Sequence, residues 1–241
     1  MANPCVDGNY FQVDPGTGVL TFVPGSIGLR DTISLYDVGS TNFDPSLYPW
    51  LAYVVVEVVG GGGGSAGASA GANEIMATAG GAGGGYSKSF VVRSAMGGPV
   101  VATVGAGGTA GGSASDGGAG GPSSFGSFAV ANGGSGSTQF MVSGTTPFGV
   151  TGVSGPVAGT GNIISIGGGG SSGALRVSGT AGNSGRGGDS QYGTGGISRA
   201  STGANTGRGQ GGGAGGALAF NSTSTSGAVG QQGAVFIYLY G

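Results

Sequence analysis

Short glycine motifs are the first places where this chain could carry chemistry. Gly62-x-Gly64-x-x-Gly67 follows an apolar segment and has the spacing of a dinucleotide-binding fingerprint, whose glycines let the backbone approach a pyrophosphate. That fingerprint also needs a helix after the glycines, and residues 65–71 are too rich in glycine to favour one. With 64 glycines in 241 residues, chance alone supplies about five such matches. The motif therefore predicts no cofactor site.

Three further motifs lack a feature that the binding site they resemble requires. A phosphate-binding loop needs a glycine before its lysine, but Ser87 precedes Lys88. The run 187–189 has the Gly-Gly-Asp of a calcium-binding repeat, yet the period of that repeat is missing. Arginine–glycine pairs occur at 185–188 and 207–209, and two copies are too few for the electrostatic attraction that holds nucleic acid. We therefore expect neither a metal ion nor nucleic acid to bind.

The residue inventory excludes most catalytic machinery. The chain has no histidine, which rules out serine–histidine and cysteine–histidine nucleophiles and histidine-ligated metals. Cys5 is the only cysteine, so no disulfide can form within the chain. Two carboxylates could serve a hydrolase, but Glu57 and Glu74 are the only glutamates. The sequence therefore predicts a protein that is not an enzyme.

Two apolar segments predict the central strands of a sheet. Both alternating faces of segment 51–59 are largely apolar, which is typical of a strand in the middle of a structure. Glu57 lies within this segment, and we interpret it as a partner inside the sheet. Segment 234–240 places aliphatic side chains on one face and aromatic ones on the other. Because the two strands bracket the glycine-rich region, we expect that region to form one closed domain.

Between these strands, glycine tracts alternate with short β-type runs. The runs 86–93 and 99–104 predict strands, and weaker strands are predicted at 124–130, 139–142 and 162–166. The tracts cluster at 60–85, 105–121, 167–173 and 179–216. Glycine-rich chain can form an extended three-fold helix, and such helices can pack side by side through their outward N–H and C=O groups. We expect a bundle of these polyglycine II helices, and flexible linkers are the alternative.

The distribution of charge indicates how the chain is divided into segments, and the N-terminus indicates where the protein is synthesised. Acidic residues predominate in the first 57 positions and basic residues in the remainder, which is either solvated surface or an acidic mounting end with a mildly basic exposed body. We read residues 1–49 as an N-terminal β-rich arm or attachment segment and 50–241 as a glycine-rich β domain. The N-terminus resembles no signal peptide, so we expect synthesis in a cytoplasm and no membrane insertion.

Several stretches resemble the glycine-rich domain of bacteriophage tail-fibre and virion-appendage proteins. The shared pattern is an opening valine strand that runs into polyglycine, an aromatic strand, a Val-Gly-x-Gly-Gly turn and a final aromatic-aliphatic strand. The stretches that carry it are 24–37, 49–64, 83–88, 104–108 and 233–240. The resemblance covers residues 19–241. Residues 137–166 depart from it because they contain less glycine, and an inserted strand pair is one interpretation of them.

The resemblance implies a structural role on the outside of a virion, often as a homotrimer, with no catalytic residues. Related glycine-rich domains in some animal receptors combine a jelly-roll-like β-sandwich with polyglycine helices, so we expect that all-β fold here, with very little α-helix. The expected function is an exposed tail-fibre or tail-tip component with a host-receptor role, attached to other virion proteins through the N-terminal segment. A capsid decoration or head-fibre protein without a receptor is the alternative. An ice-binding polyglycine bundle is a third reading, disfavoured because it needs a regular three-residue repeat and disulfides.

Five side chains in loop-like contexts are the candidate receptor contacts. They are Phe148, Arg186, Tyr192, Arg199 and Arg208. Tyrosine and arginine are enriched at recognition surfaces, and the expected partner is a bacterial cell-surface glycan or protein. The alternative is that these residues are ordinary surface decoration.

Overall fold

The computed structural model describes residues 11–22 and 28–241, and nearly all of the regular secondary structure in these residues is β-strand. They also include one four-residue helix, α1 (Arg93–Met96), and a 3-10 turn at Pro45–Leu47. The strands are β1 (Phe11–Val13), β2 (Leu20–Phe22), β3 (Leu29–Leu35), β4 (Gly39–Phe43), β5 (Tyr53–Val59), β6 (Ala68–Ser69), β7 (Ile75–Ala77), β8 (Tyr86–Val92), β9 (Val100–Val104), β10 (Ser123–Phe125), β11 (Ala129–Ala131), β12 (Phe148–Val150), β13 (Ile164–Ile166), β14 (Ala174–Arg176), β15 (Gly182–Asn183), β16 (Tyr192–Thr194), β17 (Arg208–Gln210), β18 (Leu218–Phe220), β19 (Ser224–Thr225) and β20 (Ala234–Tyr240). The prediction of an all-β chain with very little α-helix is confirmed.

Two sheets form the sandwich part of the fold. One has five strands in the order β13-β8-β5-β20-β3, and the other has four in the order β11-β10-β9-β4. Neighbouring strands run antiparallel, and β5 pairs with β20 along its whole length, from Tyr53 opposite Tyr240 to Val59 opposite Ala234. The two strands that bracket the glycine-rich region in the sequence therefore lie side by side within one sheet.

A side-chain core fills the space between the two sheets. Alternate residues of the central strands are at most 1% exposed and pack there, namely Val54, Val56, Val58, Val235, Ile237 and Leu239. The four-stranded sheet contributes Phe43, Val100 and Phe125, and the rings of Phe43 and Phe125 are 5.6 Å apart. This alternation is the period-two pattern of a strand with one buried face. The predicted jelly-roll-like β-sandwich is thus present.

The N-terminal segment is partly built into this sandwich. Strand β3 pairs with β20, with Ile33 opposite Ile237, and β4 pairs with β9, with Phe43 opposite Val100. The boundary predicted between residues 49 and 50 therefore falls inside the sandwich, because β3 and β4 form sheets with strands from the glycine-rich half. The remainder of the predicted arm includes residues 1–10 and 23–27, which lie outside the described residues.

The glycine tracts form extended rods whose amide groups bond to their neighbours with a period of three. In the central rod, residues 60–67, successive amides donate in turn to three antiparallel rods. Gly60 donates to Gly85 and Gly63 to Ala82 in the first of these rods. Gly61 donates to Gly121 and Gly64 to Gly118 in the second. Gly62 donates to Gln231 and Ser65 to Ala228 in the third. A repeat of three with no bond inside the rod is the signature of the polyglycine II helix. The alternative of flexible linkers is excluded for these tracts.

The carbonyl groups of the central rod are occupied in the same way by rods on its other sides. Gly61 and Gly64 accept from Gly134 and Ser137, Gly62 and Ser65 accept from Gly108 and Gly111, and Gly63 accepts from Ala214. Buried backbone donors and acceptors must find partners, and here the partners are other backbones. The bundle therefore needs few large apolar side chains.

Close approach of the rods explains why these positions are glycine. A Cβ atom built on Gly63 would lie less than 3.0 Å from the backbone carbonyl of Ser135, and one on Gly62 would meet the carbonyl group of Gly212 as closely. Real Cβ atoms essentially never come that near. Both contacts are to backbone atoms, so no side-chain rotation can relieve them.

The rods connect the sandwich to a set of turns at the opposite end of the bundle. The chain leaves β5 through the central rod, turns at residues 70–74 and returns through residues 78–85 to β8. Hydrogen bonds join these turns: the amide of Asn73 donates to Asn221 Oδ1 at 3.0 Å, and Ser143 Oγ bonds Glu74 at 2.6 Å. We call them the distal turns: 70–74, 113–116, 139–146, 177–181, 200–203 and 221–223.

The observed strands correct three details of the expected layout. Within residues 137–166, β12 pairs with β14 and β13 pairs with β8, so these two strands are not an inserted pair. The strand expected at 124–130 is a hairpin, in which β10 pairs with β11 around a turn that contains Gly126 at a φ of 51°. No strand is assigned at 139–142.

Candidate functional site

Titratable side chains do not assemble into a metal centre in the described part of the chain. No group of three or more cysteine, aspartate or glutamate residues there could hold a metal ion. No helix in the described ranges has the length and apolar character needed to cross a membrane. The concave surfaces that contain predicted site residues lie instead on the rod bundle.

Two of the five predicted residues line the same concave surface, which we call the arginine groove. It has a volume of about 510 Å³ and contains Arg186 and Arg208, together with Thr194, Gly195, Gly196, Ile197, Asn205 and Thr206. The β16–β17 hairpin positions one wall, because Thr194 lies opposite Arg208 in the pairing. The rods fix the other wall, where the amide of Gly187 donates to the carbonyl of Gly196 at 2.9 Å.

The two arginines of the groove differ in their electrostatic state. Arg186 forms an ion pair with Asp189 at 2.7 Å, and the same Asp189 oxygen accepts a hydrogen bond from the amide of Gly195 at 2.7 Å. Among the described residues, the Arg208 side chain forms no ion pair or hydrogen bond. A guanidinium group offers five donors in a planar fork that suits carboxylate and phosphate oxygens. The groove therefore presents one fixed and one available cation to a ligand.

Tyr192 lies beside the groove but points its hydroxyl into the protein. Tyr192 and Arg208 line an adjoining open depression. Tyr192 is 41% exposed, and its ring contacts Phe236 at 5.3 Å and Tyr86 at 6.0 Å between centroids. Its hydroxyl donates to Glu57 Oε2. Tyr192 thus ties the β16–β17 hairpin to the sandwich, and only the ring is available to a ligand.

Glu57 is the buried charge of this region. It is 6% exposed, lies opposite Lys88 in the pairing of β5 with β8, and its Oε1 is 2.9 Å from Lys88 Nζ. Burial by itself would raise the pKa of Glu57, but hydrogen bonds from Tyr192 and Lys88 and the charge of Lys88 outweigh it and lower that pKa. Burial and the nearby carboxylate raise the pKa of the Tyr192 hydroxyl. The interpretation of Glu57 as a partner inside the sheet agrees with this geometry.

Phe148 has a separate environment. It lies on β12, is 39% exposed and stacks on Phe140 at 6.2 Å. The guanidinium of Arg176 is 5.9 Å from its ring centroid. Arg176 is 5% exposed and donates to the carbonyls of Ile75, Val142 and Thr146. Phe148 therefore packs on an arginine that ties the distal turn 139–146 to β7, and it does not line the arginine groove.

Arg199 lies next to a distal turn. Its backbone pairs with Ser184, and its Nη2 donates to the carbonyl of Thr202 at 3.3 Å. The groove residues do not include it. The structure thus brings Arg186, Tyr192 and Arg208 into one region and places Phe148 and Arg199 elsewhere.

The distal turns are the part of the surface that sequence reasoning missed. Asn73, Asn221 and Ser222 have φ values of 56°, 46° and 58°, in the left-handed region that non-glycine residues seldom adopt. Asparagine tolerates this conformation better than most residues, and it favours turns. Asn73-Glu74 and Asn221-Ser222 were therefore available as turn signals.

Comparison with known proteins identifies the family of the chain. No curated protein sequence matches it. A family model described as a glycine-rich domain matches residues 38–240, which include both sheets of the sandwich except β3 and all of the glycine rods. The chain therefore belongs to the glycine-rich domain family.

Proposed function

We propose that this protein is a structural component of a bacteriophage virion, an exposed tail-fibre or tail-tip protein that binds the surface of the host cell. The observation that carries the proposal is the rod bundle. Its backbone hydrogen bonds hold the distal turns and the arginine groove on a rigid body that begins at the sandwich. A body of this kind suits a protein that must display loops outside a cell.

The arginine groove is the surface that we assign to host contact. It combines the unpaired Arg208 and the ion-paired Arg186 with hydroxyl, amide and backbone groups. Surface polysaccharides offer oxygen atoms to such donors, and many of them carry carboxylate or phosphate groups that suit a guanidinium. A bacterial cell-surface glycan is therefore the partner that the groove supports best. The N-terminal segment would join the protein to other virion components.

Replacing Arg208 tests the groove directly. We expect Arg208→Gln to weaken saturable binding of fluorescently labelled protein to host cells by about ten- to a hundred-fold, because a hydrogen bond to a charged group contributes about 1.5–3 kcal/mol. The matched control is Arg93→Gln, which removes the same charge from α1, where Arg93 donates to the carbonyl of Pro49 at 2.8 Å. Equal binding by both variants would contradict the assignment of the groove.

The position of the protein on the particle tests the wider proposal. Gold-labelled antibody is expected at the tail of purified virions, and wild-type protein is expected to bind one bacterial strain among a panel. Label on the head, with no binding to any strain, would instead favour a capsid decoration or head fibre without a receptor. Absence of label from the particle would overturn both.

A further inference from the structure

The arginine groove and the open depression beside Tyr192 share a boundary. The depression has a volume of about 640 Å³, and its lining includes Thr194 and Arg208, which also line the groove. These two residues lie directly opposite each other in the β16–β17 hairpin. We call this second part of the site the tyrosine depression. Because the two parts meet at Thr194 and Arg208, a single extended ligand can occupy both.

The boundary and its surroundings carry polar groups that the rest of the protein does not use. Among the described residues, the side chains of Thr194 and Arg208 form no hydrogen bond or ion pair, and the same is true of Gln191 in the depression and Thr206 in the groove. All four residues are exposed. Hydroxyl and amide groups both donate and accept hydrogen bonds, which suits the hydroxyl groups of a sugar chain.

The charge of the two parts together limits what the ligand carries. Asp189 lines the tyrosine depression and Arg186 lines the groove, and they neutralise each other across 2.7 Å. Arg208 is the one uncompensated charge among the residues that line both parts. Its planar fork can hold a carboxylate through two parallel hydrogen bonds. The site therefore suits one carboxylate at the boundary, with uncharged ligand on either side of it.

The ring of Tyr192 supplies an apolar surface in the depression. Its contacts with Phe236 and Tyr86 are edge-to-face, with 66° and 76° between the ring planes, so neither of these rings lies parallel to it. The negative face of an aromatic ring attracts positively polarised edges. The C–H groups on one face of a sugar ring provide such an edge, so the Tyr192 ring can stack against a sugar unit.

The ring and the charge are separated by a distance close to the length of one sugar unit. Tyr192 and Thr194 are two residues apart on β16, and side chains two residues apart in a strand lie on the same side, about 6.6 Å from each other. Arg208 lies opposite Thr194. A sugar chain that places a carboxylate on Arg208 therefore brings its neighbouring unit to the Tyr192 ring.

We propose that this site binds a linear polysaccharide in which carboxylate-bearing and neutral sugar units alternate. Arg208 holds the carboxylate, Tyr192 stacks on the adjacent neutral unit, and the arginine groove takes the chain on the other side of the boundary. The inference rests on the proposed function and deepens it, because it names the class of glycan and the part that each residue plays.

Purified oligosaccharides test the class of ligand. The probes are octasaccharides of hyaluronan and of unsulfated chondroitin, in which a uronate alternates with a neutral sugar. The control is each octasaccharide with its carboxylates reduced to alcohols. Titration calorimetry should show binding of at least one acidic octasaccharide about ten-fold tighter than its reduced form. Equal binding of acidic and reduced forms, no binding of either acidic probe, or tighter binding of dextran sulfate would overturn the proposal.

Variants test the two named residues. Arg208→Gln should bring the affinities for the acidic and the reduced octasaccharide to within about two-fold of each other, because the preference resides in the guanidinium. Tyr192→Leu should weaken binding of both forms by about ten-fold, whereas Tyr192→Phe should bind like the wild type. Tyr192→Phe loses the hydrogen bond to Glu57 as Tyr192→Leu does, so it separates stacking from support of the hairpin.

The matched control for the tyrosine variants is Tyr36→Leu, which removes a tyrosine that is 44% exposed and lines neither part of the site. It should bind the octasaccharides like the wild type. Circular dichroism shows whether each variant is folded. Equal losses in Tyr192→Phe and Tyr192→Leu, or a preference for the acidic form that survives Arg208→Gln, would contradict the roles assigned to these side chains.

Binding to cells separates this inference from the proposed function. Excess acidic octasaccharide should compete with host cells for the labelled protein, and the reduced form should not. Saturable binding to cells that persists in the acidic octasaccharide and is lost after protease treatment of the cells would identify a surface protein as the receptor. That result would overturn the inference and leave the proposed function standing. Octasaccharide binding without binding to any bacterial strain would overturn host attachment instead.

Discussion

Gly63→Ala is expected to lower the free energy of unfolding by about 3–5 kcal/mol, although it adds a single methyl group. Overpacking alone costs about 1–3 kcal/mol, and each displaced backbone bond adds about 0.5–1.5 kcal/mol. The added Cβ would lie less than 3.0 Å from the carbonyl of Ser135, so one rod must move away from the other. That movement stretches the bonds that Gly63 makes with Ala82 and Ala214.

The control for this experiment is Gly98→Ala. A Cβ on Gly98 would meet nothing within 4 Å, and its φ is outside the left-handed region, so the variant should be neutral or slightly more stable. Thermal melts at one fixed protein concentration should place Gly63→Ala about 10 °C below the wild type. Similar melting temperatures for the two variants would show that the rods do not depend on close approach at Gly63.

The sandwich was the most predictable part of the fold because its side chains carry a period. Alternation in segments 51–59 and 234–240 predicted two central strands with two distinct faces each, and the structure buries one of these faces, where Val54, Val56, Ile237 and Leu239 are at most 1% exposed. The same alternation left Tyr53 and Tyr240 on the other side. Only the strand register shows that these rings stack at 4.7 Å.

The rods were predictable as a class but not as an arrangement. Composition predicted polyglycine II helices, since glycine lacks the Cβ that would keep such helices apart. It could not predict which rods are neighbours, because a glycine tract has no side-chain pattern to select a partner. Gly61 bonds to Gly121 and Gly62 to Gln231, and no property of residues 60–64 distinguishes the two.

The sequence also does not reveal which residues of the candidate site are neighbours in the fold. Arg186 and Arg208 share a groove because β17 pairs with β16 and the rods pack beside them, and neither contact has a signal in the sequence. Glu57 was recognisable as a buried partner because it interrupts an apolar strand. The bond from Tyr192 spans 135 residues, so its inward hydroxyl could not be foreseen.

Glu57→Gln is expected to lower the free energy of unfolding by about 2 kcal/mol at pH 7, because hydrogen bonds to a charged group contribute about 1.5–3 kcal/mol. The amide keeps the size of the side chain and can still accept from Tyr192. It removes the negative charge that faces Lys88 at 2.9 Å. Urea denaturation of wild type and variant at pH 7 measures the difference.

The pH dependence of that difference identifies its origin as the carboxylate charge. The pKa of Glu57 is lower in the folded chain than its ordinary value, which is about 4.3 in an unfolded chain. The charge therefore stabilises the fold fully above that unfolded value, and its contribution is lost as the pH falls through the lower folded pKa. The stability difference between wild type and Glu57→Gln should therefore shrink as the pH falls below about 4. Asp37→Asn, which alters an exposed carboxylate, should stay within about 0.5 kcal/mol of wild type at pH 7 and in acid. A difference for Glu57→Gln that persists undiminished at pH 3 would mean that packing and hydrogen-bond geometry, and not the ion pair with Lys88, hold β5, β8 and the β16–β17 hairpin together.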